Sequence, residues 1–242
     1  MYEKIRMVIP REHGGWAMVS IPFIIGMMAA NPVLQHLPLF LAWLFLYLSS
    51  YPLLQALKKT TKRTWWLKWG AGYAAVALLC LIPVLLQEVW LFWFAPVLIL
   101  LLTVNIWHVR RKSERALLND VCAILLFCTA GTAAYLLGGG TWGRELAEVL
   151  LYNFLYFMGT VFFVKSVFRE RKNKRWAIYA KVYHLIALVL PLLTLSPWMC
   201  VPLVYPLVKT WVYSGKPLKP MRVGIMEIVG SVQFVILTLI LL

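Results

Sequence analysis

Acidic residues are scarce in this chain of 242 residues: nine Asp and Glu stand against 24 Lys and Arg, and charged residues of every kind make up only 14%. Water-soluble domains carry about 25% charged residues, so that class is excluded at the outset. The longest hydrophilic stretch is about a dozen residues, which leaves no material for a soluble domain beside the apolar part. Cys80, Cys122, Cys128 and Cys200 lie in or at the ends of apolar runs, with no CxxC and no Cys/His cluster, so they read as packing residues and say nothing of redox compartment. There is no Walker loop, no HExxH and no GxSxG. The GGG at 138–140 reads as a flexible turn. His36 falls at one edge of the apolar runs and the other three histidines at the opposite edge, which argues against a haem held by two histidines at mid-membrane. No internal repeat of the transporter kind is visible.

What is present is apolar. Hydrophobic residues make up 62% of the chain, with a mean hydropathy of +0.78. Taking about 17–22 apolar residues as one bilayer crossing, the sequence predicts nine helices in a single transmembrane domain over 1–242. They fall near 16–31, 38–57, 67–86, 89–107, 118–138, 147–166, 178–195, 197–213 and 223–241. The proline-rich TLSPWMCVPLVYP, 194–206, also fits a broken or re-entrant helix. The charged leader MYEKIRMVI does not read as a cleavable signal, because no small-residue cleavage site follows the first apolar run.

The formal net charge is +15. In a soluble protein that would suggest nucleic acid, but here the cations sit in short segments between apolar runs, as topology signals do. With nine spans, 23 of the 24 Lys and Arg residues fall on one side, and only Arg144 falls opposite, beside Glu145 and Glu148. The positive-inside rule then predicts a multi-pass protein with its N-terminus in the cytoplasm and its C-terminus outside. Eight spans would put the last basic cluster on the wrong face. Most of these cations are expected to snorkel to membrane lipids.

Function must then lie in polar chemistry inside the apolar spans or at their rims. Five places qualify, all at the basic ends of helices. Glu12, His13, Gly14 and Gly15 open the first helix. VNIWHVRRKSERALLND, 104–120, holds Asn105, His108, Arg111 and Glu114. YNFLYFMGTVFFVKSVFRERKNKRW, 152–176, holds Lys165, Arg169 and Glu170. YAKVYH ends in Tyr183 and His184, and MRVGIMEIVGSVQF holds Glu227 one turn into the ninth helix. Ionisable residues inside a membrane are expensive unless they face the bundle interior, so such a cluster is a candidate site. Plainer readings stand beside it. Glu12 and His13 also fit interfacial contact, and the paired glycines fit tight helix packing. His108 fits headgroup contact, and Lys165 with Arg169, spaced i and i+4, fit snorkelling with local pairing to Glu170. A carboxylate at Glu227, in otherwise apolar sequence, needs a partner.

PREHGGWAMVSIPFIIG together with FFVKSVFRERKNKRW and the following Tyr-His pair resembles the YwiC-like family of bacterial membrane proteins over nearly the whole chain. A more distant resemblance, through Pro22, Gly26 and WHVRRKSE, is to the UbiA-type prenyltransferase superfamily, which implies a nine-helix arrangement with the N-terminus inside. That superfamily holds Mg²⁺ on a prenyl diphosphate with Asp-rich motifs after its second and sixth helices. Here those helices end YLSSYPLLQALKK and FVKSVFRERKNK, without an Asp. No metal is therefore expected, and no cofactor is named by the sequence. Lys165, Arg169 and Lys58 would take the place of the metals against an anion.

Two readings follow. In the first, the protein is a UbiA-like lipid-handling enzyme that binds an amphipathic substrate with an anionic head, of isoprenoid or quinone-precursor type, in a cytoplasm-facing pocket. Glu12 or Glu227 would be the acid/base, with His13 or His184 in proton transfer. Lys58, Asn105, His108, Arg111, Lys165, Arg169 and Tyr183 would line the pocket. In the second, a noncatalytic accessory or transport protein uses the same pocket for binding or for a partner's membrane domain.

Overall fold

The computed structural model describes residues 7–10, 13–58, 61–193 and 196–242, with His13 described by its backbone alone. Among the described residues the chain is all-α, with nine α-helices and no strand. These are α1 His13–Ala29, α2 His36–Lys58, α3 Arg63–Gln87, α4 Ala95–Arg110, α5 Leu117–Leu137, α6 Arg144–Val164, α7 Lys174–Val189, α8 Val201–Tyr213 and α9 Pro220–Leu241. A 3₁₀ segment, Val89–Phe94, leads into α4, a π-helical turn, Lys165–Arg169, extends α6, and 3₁₀ turns follow α7 and precede α8.

Seven of these segments are long and apolar enough to cross a membrane: α2, α3, Val89–Arg110, α5, Arg144–Arg169, Lys174–Leu193 and α9. The two others are shorter. α1 has 17 residues, about 25 Å at the helical rise. α8 has 13, about 20 Å, and the Pro197–Cys200 turn before it adds about 8 Å. The expected run of 197–213 is thus divided at Val201, with Pro202 in the first turn of α8, where its missing N–H leaves no helical bond unmade.

The faces of these helices identify their solvent. α9 exposes Ile225, Ile228, Val229, Val232, Ile236 and Ile240, a stripe at helical spacing, and buries Val223, Gly230, Ser231, Phe234 and Thr238 on the other side. α3 likewise exposes Leu78, Leu79, Ile82 and Leu86. Contiguous apolar faces of this extent mark membrane contact, and helices satisfy their own backbone hydrogen bonds in lipid. The protein is a multi-pass helical membrane protein whose outer faces meet lipid.

Two compact units make up the chain: residues up to Val19 with Val33–Leu126, and Ser20–Pro32 with Phe127–Leu242. In the first, α2 packs along α3 and against α4. Ser49 donates to the Gly70 carbonyl across the α2–α3 contact at 3.0 Å, and Trp43 Nε1 donates to the Val19 carbonyl at 3.2 Å. In the second, α6 is the central helix, touching α7, α8 and α9 and burying ten of its side chains or glycines on several faces, as a helix surrounded by others must. Within the same unit α1 and α5 meet backbone to backbone. A Cβ at Gly26 would collide with the Gly131 carbonyl, and one at Gly131 with the Pro22 carbonyl, the close approach that small residues permit in membranes.

Candidate functional site

The second unit holds a buried ion pair. Lys209, on α8, donates to Glu227 Oε1, on α9, at 2.5 Å. The two side chains keep only 2% and 16% of their exposure. The lysine is surrounded by aromatic faces, with Nζ 4.5 Å from the Phe163 ring centre and 5.8 Å from that of Tyr205, contacts that favour a desolvated cation. Tyr205 in turn donates to the Met226 carbonyl at 3.1 Å, holding α8 to α9 beside the pair. The second carboxylate oxygen, Glu227 Oε2, is buried and has no hydrogen-bond partner among the described residues.

Polar groups from α7 and α6 converge on this pair. His184 is buried, with Nδ1 2.7 Å from the Ala180 carbonyl. A carbonyl only accepts, so Nδ1 carries a proton, and Nε2 lies 3.3 Å from the Thr210 hydroxyl. Thr210 adjoins Lys209 in sequence and is fully buried. α6 admits the imidazole at Gly159, where a Cβ would stand 2.9 Å from His184 Nε2. One turn earlier on α6, the Tyr156 hydroxyl lies 3.2 Å from Ser231 Oγ, and its ring stacks on Phe234 at 4.1 Å. Ser231 is one turn beyond Glu227 on α9. Asn153 Nδ2 donates to the Val149 carbonyl at 2.8 Å, while its Oδ1 is buried without a partner among the described residues.

Lys165 and Arg169, expected to act together, have different surroundings. Lys165 is buried, its Nζ 5.3 Å from the Trp176 ring centre. Arg169, at the end of the π-helical turn, is exposed. Such turns recur at functional sites. Tyr183 donates to the Leu155 carbonyl at 3.1 Å and stacks on Phe162 at 4.7 Å, so its hydroxyl is spent on fastening α7 to α6.

The remaining candidates belong to the first unit. Lys58 pairs with Glu114, both partly exposed, and Asn119 Nδ2 donates to the Glu114 carbonyl at 2.9 Å. His108 is buried, its Nδ1 2.8 Å from Ser113 Oγ and its Nε2 without a partner among the described residues. Asn105 donates within its own helix to the Leu101 carbonyl at 2.9 Å. Arg111 lies over the Trp107 ring at 4.3 Å. Glu12 and the His13 side chain lie outside the described residues. Gly14 has open space where a Cβ would be, whereas at Gly15 a Cβ would strike the Tyr47 hydroxyl. Trp16 meets Tyr47 edge to face at 5.8 Å and donates to the Pro10 carbonyl at 3.3 Å.

Of the residues gathered at this pair, the sequence singles out Glu227 and His184 and does not single out Lys209, Thr210, Tyr156 and Ser231. Lys209 was counted with the loop cations although it stands inside the apolar run VPLVYPLVKTWVY, four residues before the end of α8. That position was the available signal. Among the described residues no group of three or more His, Cys, Asp or Glu is placed to hold a metal ion.

A buried ionic cluster inside a helical bundle with lipid-facing walls defines a class, the multi-pass membrane proteins with an intramembrane polar site. The family model described as YwiC-like protein matches residues 9–135, which covers α1 to most of α5. Full-length similarity extends further. The Bacillus subtilis protein named Uncharacterized protein YwiC is 38% identical over 230 residues, 95% of this chain and 96% of that one. A Haemophilus influenzae protein, named Uncharacterized protein, is 33% identical over 236 residues, 98% and 99% of the two chains. No solved structure matches significantly. The chain belongs to the YwiC-like family.

Proposed function

We propose that the protein is a membrane-embedded binding or transport protein whose α6–α9 unit takes the anionic head of an amphipathic molecule at Lys209, with the apolar tail lying between helices. The observation that carries this reading is the divided carboxylate of Glu227, one oxygen on Lys209 and the other buried without a partner among the described residues. While Glu227 is ionised the pair is neutral and offers an anion no net attraction. A proton on Glu227 leaves Lys209 as an uncompensated cation in a dry site, where an anionic head is the natural replacement. Uptake of the head is thus linked to uptake of a proton. Lys165, buried at the same basic end of α6, adds a second cation near the rim.

A UbiA-like lipid-handling enzyme is the second reading, with Glu227 as acid/base and His184 in proton transfer. What favours it is the placement of the His184 imidazole, through Thr210, beside the ion pair. Mass spectrometry of lipid that stays with the protein through purification tests both. Bulk phospholipid or another anionic amphiphile, lost from Lys209→Ala, supports the binding protein. An isoprenoid or quinone precursor supports the enzyme, and no retained amphiphile overturns both. Retention through chelation is expected in either case.

The charge pattern supports a cytoplasmic position for this end of the unit. Cysteine-accessibility labelling should accordingly find residues 109–117 and 170–176 on one side and Gly139 on the other. Labelling of all three from one side would remove the sidedness.

A further inference from the structure

At the end of the second unit opposite Lys209 and Glu227 lies a cavity of about 470 Å³ lined by Tyr135, Thr141, Arg144, Glu145, Glu148 and Ser196. Tyr135 donates to Glu145 at 2.8 Å, Ser196 to Glu148 at 2.9 Å, and Arg144 to Glu148 at 2.8 Å. This acidic cavity and the buried ion pair lie along the same face of one helix. Positions 145, 148, 152, 156, 159 and 163 of α6 are spaced three or four apart and form one stripe. Its ends are about 27 Å apart at the helical rise, close to the thickness of a bilayer's hydrocarbon core.

Between those ends the stripe is polar at nearly every turn. Glu145 and Glu148 face the cavity, Tyr152 is buried, and Tyr156 holds Ser231. Gly159 receives His184, and Phe163 lies under Lys209. α9 runs antiparallel alongside and adds Glu227, Ser231 and Thr238 on its buried face, with Leu242 reaching the acidic cavity. Three buried polar atoms of α6 and α9, Asn153 Oδ1, Glu227 Oε2 and Thr238 Oγ1, have no partner among the described residues. A buried polar atom left unpaired costs about 1–3 kcal/mol, and water with two to four polar neighbours is the usual remedy. A bundle built only for stability would carry apolar side chains at these positions.

We propose that the α6 stripe is a proton route through the membrane, leading from the acidic cavity to Glu227. The proton enters at the Glu145 and Glu148 end and passes by water and hydroxyls past Asn153 and the Tyr156–Ser231 pair. It binds Glu227 Oε2, the carboxylate oxygen that Lys209 does not hold. No bond other than O–H and its hydrogen bonds is made or broken. The groups facing Glu227 are Lys209 and Tyr205 from α8, Tyr156 from α6 and Ser231 on its own helix, with His184 of α7 behind Thr210. Of these Lys209 is the cation that opposes protonation. The route deepens the reading that head-group uptake is linked to a proton, by naming the side from which that proton comes.

The test uses the full chain in uniformly oriented proteoliposomes of phosphatidylcholine and phosphatidylglycerol, with a pH step applied on the Gly139 side alone and infrared detection of a protonated carboxyl. The expected result is a band that follows the step, vanishes in Glu227→Gln, and appears at least tenfold more slowly in Asn153→Leu and in Tyr156→Phe, which keeps the aromatic stack. The exposed Lys172→Ala should leave the rate unchanged. A Glu227 band that follows only the pH of the opposite side overturns the route. So does a rate that both corridor variants leave unaltered. If lipid retention fails and the band still follows the step, the binding reading falls while the route stands. If lipid is retained and the band ignores the step, the reverse holds.

Discussion

Each unit carries a Lys–Glu pair, and the two pairs share their chemistry but not their surroundings. Lys58–Glu114 sits at a helix end with side chains 30% and 39% exposed, and the groups around it are used locally: Asn119 on a nearby carbonyl, Arg111 on Trp107. Lys209–Glu227 is inside the bundle at 2% and 16%, walled by Phe163 and Tyr205 and linked to neighbouring helices through Thr210, His184, Ser231 and Tyr156. The first arrangement is how a membrane protein ends a helix in headgroups. The second has no topological use, and its desolvation has to be offset by structure built around it.

The sharpest way to break this comparison is to remove one partner of the buried pair. Lys209→Ala or Glu227→Ala leaves an uncompensated charge and should destabilise the protein by about 3–5 kcal/mol, read as a large loss of thermal stability in detergent. The double variant Lys209→Met with Glu227→Leu should recover most of that loss, since an apolar pair of similar volume often replaces a buried ion pair without penalty. Single variants within about 1 kcal/mol of the parent, the range of exposed pairs, would place both units in the same class.

A smaller effect is expected at Gly159. Its Cβ in Gly159→Ala would come within 2.9 Å of His184 Nε2, so α7 or the imidazole must move. Overpacking of this kind costs about 1–3 kcal/mol. His184→Ala in the same background should relieve the clash, giving a double variant more stable than the two separate losses predict. Additive losses would show that the imidazole does not fill the space left by Gly159.

How much of this was legible beforehand follows from what a one-dimensional pattern encodes. Length and hydropathy identify a bilayer crossing, so the long helices were readable, whereas α1 and α8 mark the point where proline spacing and helix ends take over. Glu227 was readable because a carboxylate amid apolar residues has no cheap explanation. Lys209 was not, because a lysine near the end of an apolar run has one: it snorkels. Tyr156 and Ser231 were invisible for another reason. They are amphipathic or small residues that serve equally on lipid-facing and interior sides, and only the packing of α6 against α9 turns them inward. Lys165 and Arg169 looked equivalent by spacing, yet one is buried against Trp176 and the other exposed, a distinction set by where α7 begins.

The smallest effect is expected at the exposed pair. Both partners of Lys58–Glu114 keep about a third of their exposure, so water and salt screen their attraction, and ordering two long side chains offsets part of it. Lys58→Ala should therefore change stability by at most about 1 kcal/mol. What remains should fade between low salt and 1 M, where the screening length falls to about 3 Å. The buried pair should respond little to salt, because no mobile ions reach it. Thermal melts of Lys58→Ala and Lys209→Ala at the two salt concentrations therefore measure the comparison itself. If Lys58→Ala proved as destabilising as Lys209→Ala and equally insensitive to salt, then the basic end of the first unit is a desolvated site, with His108 Nε2 the next group to test.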